Sequence, residues 1–480
     1  MIGSDFYLDD PRPADGAAVI VGAGPAGIRA AQTLLAHGVR PVVIDEAPKA
    51  GGQIYRRQPD GFARTPKDLY GFEAGRASAL HQAFDNLRAD IDYRPDTLVW
   101  NAQGHTLNLL HTASRTADTV RWRDVIVATG ATDRVLPIPG WTLPGVYTLG
   151  GAQVALKYQG CAIGDAVVFA GTGPLLYLVA YQYAKAGGKV CAVLDTAPSV
   201  QRYKAAPAML AQPAVTAKGV YYVSWLMFHN VPVHHGVQLL RAEGGAGNER
   251  VQALVWKDAQ GAEQRTACSA VGLGYALRPE TQLPDLLGCE FAFAPLHRCH
   301  VPQTDADRRS SVPGVYLAGD GAGIMGADAA EMSGELAALA LLQDRGIHID
   351  VSRASHLRQR LLKTERFRQA LEVAFPFPDD WAARASDDLV VCRCENITAG
   401  EIRSTAAANA NGDINRIKAL CRVGMGRCQG RMCGVAATEI LADALQVPVE
   451  SIGRIRGQAP IKPLPLDMTV AAAAREAAHG

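Results

Sequence analysis

No Cys-x-x-Cys pair occurs anywhere in the 480 residues, which excludes a dithiol of the thioredoxin type. No stretch reaches the run of about 18 apolar residues that marks a membrane-spanning helix. The first ten residues, Met1 to Asp10, are acidic and lack the positive and apolar regions of a secretory leader. A cytoplasmic chain is expected, with peripheral attachment at the inner membrane left open. Charge of one sign is missing too: 48 Lys and Arg stand against 47 Asp and Glu, for a net charge of +1. That balance argues against a nucleic-acid partner, which needs a basic face. No Ser-His-Asp arrangement, nucleophile elbow or paired-carboxylate motif is identifiable, so no substrate pocket with its own acid–base pair announces itself.

What remains is an ordinary globular composition, 48% hydrophobic and 20% charged. At roughly 150 residues per domain the length suggests about three folding units. Residues 17–21 form a short apolar run with the look of a parallel strand buried on both faces. Gly22-Ala23-Gly24-Pro25-Ala26-Gly27 follows, then a helical pattern carrying Ile28, Ala31 and Leu34, then a second strand ending at Asp45-Glu46. Glycine at 22 serves a tight turn, at 24 the approach of a pyrophosphate, and at 27 close helix–strand packing. The helix start offers unpaired N–H groups to the phosphates. Asp45, with Glu46 as the alternative, is placed to accept ribose hydroxyls.

The unit recurs. Residues 166–170 lead into Gly171-Thr172-Gly173-Pro174-Leu175-Leu176, a helix, and a strand ending at Asp195. Here the third glycine position is a leucine. Asp195 could take a ribose, and either a nucleotide such as NAD(P) or a retained scaffold fits the pattern. Two such units imply a duplicated fold with the second inserted into the first. Val125 to Gly130 closes the stretch before the insertion, and Val315 to Asp320 follows it.

Five of the ten cysteines fall between Cys392 and Cys433. The ligand candidates are Cys392-Arg393-Cys394 and Cys428-Gln429-Gly430-Arg431-Met432-Cys433. Two pairs of thiolates suit a [2Fe–2S] cluster, each iron taking two sulfurs. Structural zinc is the alternative, although its pairs are commonly spaced by two to four residues. Gly424, Gly426, Gly430 and Gly434 let backbone N–H groups approach cluster sulfides, and Arg393, Arg427 and Arg431 offset negative charge. Cys421 reads as a small buried residue. His297-Arg298-Cys299-His300 reads as a surface loop, and His234-His235 as a turn. Tyr221, Tyr222, Trp225 and Phe228 read as core, with a partner-subunit contact face as the alternative.

Gly51-Gly52-Gln53-Ile54-Tyr55-Arg56, the Ala128-Thr129-Gly130 strand end and the Gly319-Asp320 pair resemble glutathione-reductase-type flavoproteins. The resemblance implies an α/β fold with two dinucleotide-binding domains and FAD at the first. It also implies that Asp320 bonds the flavin's ribityl chain and that the second domain takes NAD(P)H. Residues 391–434 resemble the bacterioferritin-associated ferredoxin module, a small helical domain with a [2Fe–2S] cluster on four cysteines. Four residues separate Cys428 from Cys433, where that ferredoxin has two. The longer spacing is similar to the alpha subunits of opine oxidases and of proline and hydroxyproline dehydrogenases, and to the hydrogen cyanide synthase B subunit. The sarcosine oxidase alpha subunit is more distant. This similarity runs from about residue 15 to the Pro-Leu-Pro-Leu segment at 463–466.

It implies an oxidoreductase acting on C–N bonds as a subunit of a complex. A beta subunit with its own FAD oxidises the amine, some complexes include a small gamma subunit, and some carry FMN at the subunit interface. Electrons then pass through the FAD and cluster of this chain to an acceptor. The expected divisions are an FAD domain over 1–150 and 266–345, a second Rossmann-like domain over 151–265, and a helical linker over 346–389. The cluster module takes 390–450 and a tail 451–480. A stand-alone NAD(P)H-dependent reductase is the competing reading, and a zinc-bearing scaffold the third.

Overall fold

The computed structural model describes residues 13–470 apart from 14, 63, 246, 248, 410 and 411. The ten N-terminal residues read for a leader, and the last ten of the tail, lie outside the described residues.

Strand Ala17–Val21 pairs in parallel with Val42–Ile44 on one side and with the far half of Thr116–Val127 on the other. Asp92–Arg94 and Val315–Leu317 extend the parallel sheet at its two sides. The near half of Thr116–Val127 runs on into an antiparallel meander with Thr106–His111 and Thr97–Gln103. Helices Pro25–Ala36 and Ala327–Asp344 share one apolar core with the sheet. Their crossing is so close that a Cβ on Gly334 would collide with the Ala26 carbonyl. Small residues, not large ones, therefore set this contact.

The second domain has a parallel sheet in the order Val233–His235, Lys189–Asp195, Ala166–Thr172, Ala270–Tyr275, Val146–Thr148. A three-stranded antiparallel sheet, Gln238–Gly244, Val251–Lys257 and Glu263–Ala267, stands beside it. The chain passes between the two domains along one antiparallel pair, Ala131–Asp133 against Leu277–Pro279. This corrects the divisions expected at 150/151 and 265/266. Val146–Thr148 and Ala270–Tyr275 are strands of the second sheet, and neither carries a glycine fingerprint that would have assigned it.

Residues 346–389 are more than a linker. Asp350 caps the helix Val351–Ala374, accepting from the amides of Ser352 and Arg353. Leu357 and Leu361 of that helix are buried in the core of the first domain. Beyond it, the hairpin Val390–Cys392 and Ile397–Thr398 and the helices Ala399–Asn409, Ile414–Cys421 and Gly434–Leu445 form the cysteine module. Its core is continuous with that of the second domain: Trp141, Val168 and Leu254 belong to one apolar cluster with Val391, Ile402 and Ile440. The Trp141 indole donates to the Val390 carbonyl at 2.7 Å, and the Trp381 indole to that of Pro137 at 3.0 Å.

The tail is also anchored. Arg454 and Arg456 converge on buried Asp285, and the Ile461 amide donates to the Trp100 carbonyl.

Three local expectations change. His297 is buried, Cys299–Pro302 is a strand, and Arg298 holds Glu439 of the cysteine module at 2.6 Å, so this segment is a joint and not a surface loop. His234 and His235 end a strand, with the turn only at Gly236. The aromatic segment is the helix Pro213–Phe228, in which Phe228 is 86% exposed rather than core. No described helix is long and apolar enough to cross a membrane.

Candidate functional site

One cavity of about 1840 Å³ runs between the first domain, the second domain and the cysteine module. Its floor is the first glycine loop. A Cβ on Gly27 would collide with the Gly22 carbonyl, so only glycine lets the helix start so near the strand. Gly52, at φ +67°, lies so close that a Cβ there would stand 2.9 Å from the Gly24 Cα. The two bare backbones leave a trough between them, open to the cavity along with Pro25 and Ala26. No side chain caps the N-terminus of Pro25–Ala36, so its amides remain free to meet an anion. This is a cradle into which an FAD pyrophosphate fits.

Asp45 lies at the end of the neighbouring strand. Its carboxylate accepts from the Ala23 amide and, at 2.7 Å, from the Ala47 amide, which fixes it in the wall. Burial pushes its pKa up to about 6, against the pull of those amides. Glu46 next to it is exposed and pairs with Lys462 of the tail at 2.7 Å. Gln53 accepts from Arg56 at 2.7 Å. Gly130, Gly319 and Asp320 line the cavity, and Asp320 accepts from the Met325 and Gly326 amides. Burial raises the Asp320 pKa. Of the residues expected at the flavin site, all but Gly27 line this one cavity.

The second glycine loop behaves differently. A Cβ on Gly171 would collide with the Gly274 carbonyl, so that glycine serves its own sheet. Leu176 is wholly buried in the domain core. Asp195 is fully buried and consumed: the Thr172 hydroxyl donates to it at 2.8 Å and the Tyr177 hydroxyl at 2.5 Å, and Arg202 pairs with it. Gly171, Gly173 and Asp195 do not line the cavity; Pro174, Leu175 and Tyr177 do. The expected ribose acceptor of this domain is therefore withdrawn into the fold by its own tyrosine and arginine.

The four cysteine sulfurs form one group. Cys433 lies within hydrogen-bond reach of the sulfurs of Cys392 and Cys428, and Cys394 of that of Cys428. These contacts pull the Cys392 thiol down to about 6 and that of Cys428 to about 5 and push Cys433 up, while burial is the main cause that raises Cys394. Backbone amides of Gly424 and Glu395 also reach Cys392, and those of Met432 and Gly430 reach Cys428. A Cβ on Gly426 would collide with that of Cys394. Two pairs of thiolates supply the two sulfurs that each iron of a two-iron cluster takes. The donor set fits [2Fe–2S].

Sequence motifs gave no sign of how the two centres are tied. Thr129 donates to the Glu280 carbonyl at 2.8 Å, and the Glu280 amide donates to Gly130 at 2.9 Å. The buried Glu280 carboxylate holds Arg431, between the last two cysteines and largely buried, at 2.6 Å. Arg278 donates to the carbonyls of Gly430 and Arg431, and Gln282 to that of Gln429 at 2.5 Å. Cys428 and Met432 line the same cavity as Gly24 and Asp320.

Comparison with known proteins agrees with this geometry. Residues 16–334 match the pyridine nucleotide-disulphide oxidoreductase family, and residues 390–443 the BFD-like [2Fe-2S] binding domain. The opine oxidase A subunit of Rhizobium meliloti is 38% identical over 93% of this chain and 86% of its own. The chain belongs to the pyridine nucleotide-disulphide oxidoreductase family, in the branch of the opine oxidase A subunit. Hydrogen cyanide synthase subunit HcnB of Pseudomonas protegens is 34% identical over 93% of this chain and 96% of its own. L-proline dehydrogenase from P. horikoshii shares the fold, with a TM-score of 0.69 over 94% of this chain and 79% of that one, at 18% identity. This chain carries the two-domain flavoprotein core and the cysteine module together, and FAD and a [2Fe–2S] cluster are its cofactors.

Proposed function

We propose that this chain is the electron-transferring subunit of a heteromeric oxidoreductase that acts on C–N bonds of amino or imino acids, opines included. The observation that carries the reading is the shared cavity: the flavin cradle and the cluster ligand Cys428 open onto one space. Flavin exchanges electrons in pairs or singly and a [2Fe–2S] cluster singly, so together they turn substrate oxidation into one-electron traffic. The chain's own residues cradle the pyrophosphate, fix Asp45 and Asp320 in the wall, and hold the cluster loop against the flavin strand through Glu280.

By this reading the substrate is oxidised on a partner subunit with its own flavin. The described cavity wall holds no His, and its acidic groups are tied in ion pairs or to backbone amides: Glu73 to Lys218, Glu280 to Arg431, Asp45 to Ala23 and Ala47. The partner is proposed to dock over the helices Ser199–Met209 and Pro213–Phe228. Tyr203 is 78% exposed there and Leu210 also stands open, and both line the mouth of the cavity. An FMN at that interface, and a nucleotide at the uncapped start of Pro174–Lys185, extend the same proposal.

The competing NAD(P)H-reductase reading loses its ribose acceptor with Asp195. An anaerobic spectrum decides between them. Flavin bleaching by an amino or imino acid, only with the partner present, supports the proposal; rapid bleaching of the isolated chain by NADH overturns it.

A further inference from the structure

Lys157 is the last residue of the helix Leu149–Lys157 and lines the cavity, yet it is only 6% exposed. Its ammonium has no hydrogen bond or ion pair with any described residue; the ring of Tyr70, 5.9 Å away, is its one cation–π contact. Burial alone pulls its pKa down, to about 8. The other cations sunk in this wall are matched: Arg202 with Asp195, Arg368 with Glu372, Lys218 with Glu73 and Arg431 with Glu280. Arg56 also has no direct ion pair. Its guanidinium bonds only the neutral Gln53 amide, feels the Asp45 carboxylate at longer range, lies 5.3 Å from the ring of Tyr158, next to Lys157, and leaves a buried Nε without a partner.

An ammonium shielded from bulk water without a counter-charge is disfavoured, and the C-terminal end of one short helix offsets only a small part of that. Its accessible side is the cavity, where a compensating charge can enter.

We propose that Lys157 and Arg56 form an anion-binding site in the wall of the flavin cavity. The site takes a single delocalised negative charge. Two sources have that chemistry. One is a carboxylate or phosphate entering from solvent. The other is the flavin itself, because two electrons and one proton added to a neutral ring leave one negative charge. This inference rests on the reading of the cavity as a flavin site.

The test uses the purified full chain with its FAD and cluster, as wild type, Lys157→Met and Lys157→Arg. FAD content is measured first, and its absence from wild type would sink the flavin reading itself. Sodium acetate and sodium phosphate are then titrated against the flavin spectrum, and the flavin midpoint potential is measured anaerobically. For a solvent anion, wild type shows a saturable spectral change that weakens at least tenfold in Lys157→Met and persists in Lys157→Arg. For the flavin's own charge, no saturable change occurs. The reduced form is instead destabilised at least tenfold in Lys157→Met, about 30 mV for a two-electron couple, and Lys157→Arg stays near wild type. Unchanged titration and unchanged potential in an FAD-loaded Lys157→Met overturn the proposal. Should that variant fail to hold FAD, Arg56→Met supplies the same two readouts, and the same outcomes support or overturn the site.

Discussion

Single residues here bring titratable groups into places where water cannot follow, and His297 is the sharpest case. It is buried beside Arg134 and Arg368, and burial first, then those two cations, bring its pKa down to about 4. In the unfolded chain it titrates near 6.5, so between those values the unfolded state binds more protons. Stability is therefore lost as pH falls from about 6.5 towards 4, by up to about 3 kcal/mol at 1.36 kcal/mol per unit. His297→Gln is expected to flatten that limb of a denaturation profile. A limb equally steep in the variant would place the acid sensitivity elsewhere. Residue legibility was uneven for a physical reason. Gly27 and Gly52 were readable because only glycine tolerates those approaches. Asp195 misled because a carboxylate at a strand end looks the same in sequence whether it faces a ribose or a neighbouring Tyr177 and Arg202. Cys428 is a cleaner test: Cys428→Ser is expected to abolish cluster absorbance while FAD stays bound, since the cradle lies on other elements.

At the scale of elements, the segment 277–282 joins the centres. It pairs with Ala131–Asp133, touches Thr129 and Gly130, and holds the loop 428–433 through Arg278, Glu280 and Gln282. Nothing in its sequence forecast this, because a short irregular stretch has no period and its partners are all distant in the chain. Glu280→Gln strips one charge from a buried pair and leaves Arg431 unpaired, a loss of about 3–5 kcal/mol where both groups are desolvated. Two readouts are expected to move together. The melting temperature falls, and the cluster's reduction potential rises, because an uncompensated cation beside Cys428 favours the more negative reduced state. The double variant Glu280→Gln with Arg431→Met should recover most of the stability and lose the upward shift. A lone stability loss with an unmoved potential would reduce the pair to a structural rivet.

Taken whole, the molecule reads as three units in sequence and packs as fewer. The cysteine module shares an apolar core with the second domain, and its tail returns to the first through Ile461 and Lys462. Motifs disclosed the order of the units, since each glycine loop and each cysteine pair is local. They could not disclose the shared core, since apolar side chains do not say against which domain they pack. The same arrangement leaves one large face open. Tyr203, Leu210 and Val220 stand exposed on or beside the helices Ser199–Met209 and Pro213–Phe228 and line the redox cavity. A stable interface needs about 1,200–2,000 Å² with a fully buried apolar centre, and an exposed tyrosine with a leucine and a valine offers apolar surface for one. Val220→Asp combined with Leu210→Asp puts two charges there without touching the flavin cradle or the cysteines. Both chromophores should persist in the doubly substituted chain, while co-purification with the partner and amino-acid-driven bleaching are lost together. Bleaching that survives the double substitution would move the donor's dock to another face, and with it the route by which electrons reach the cavity.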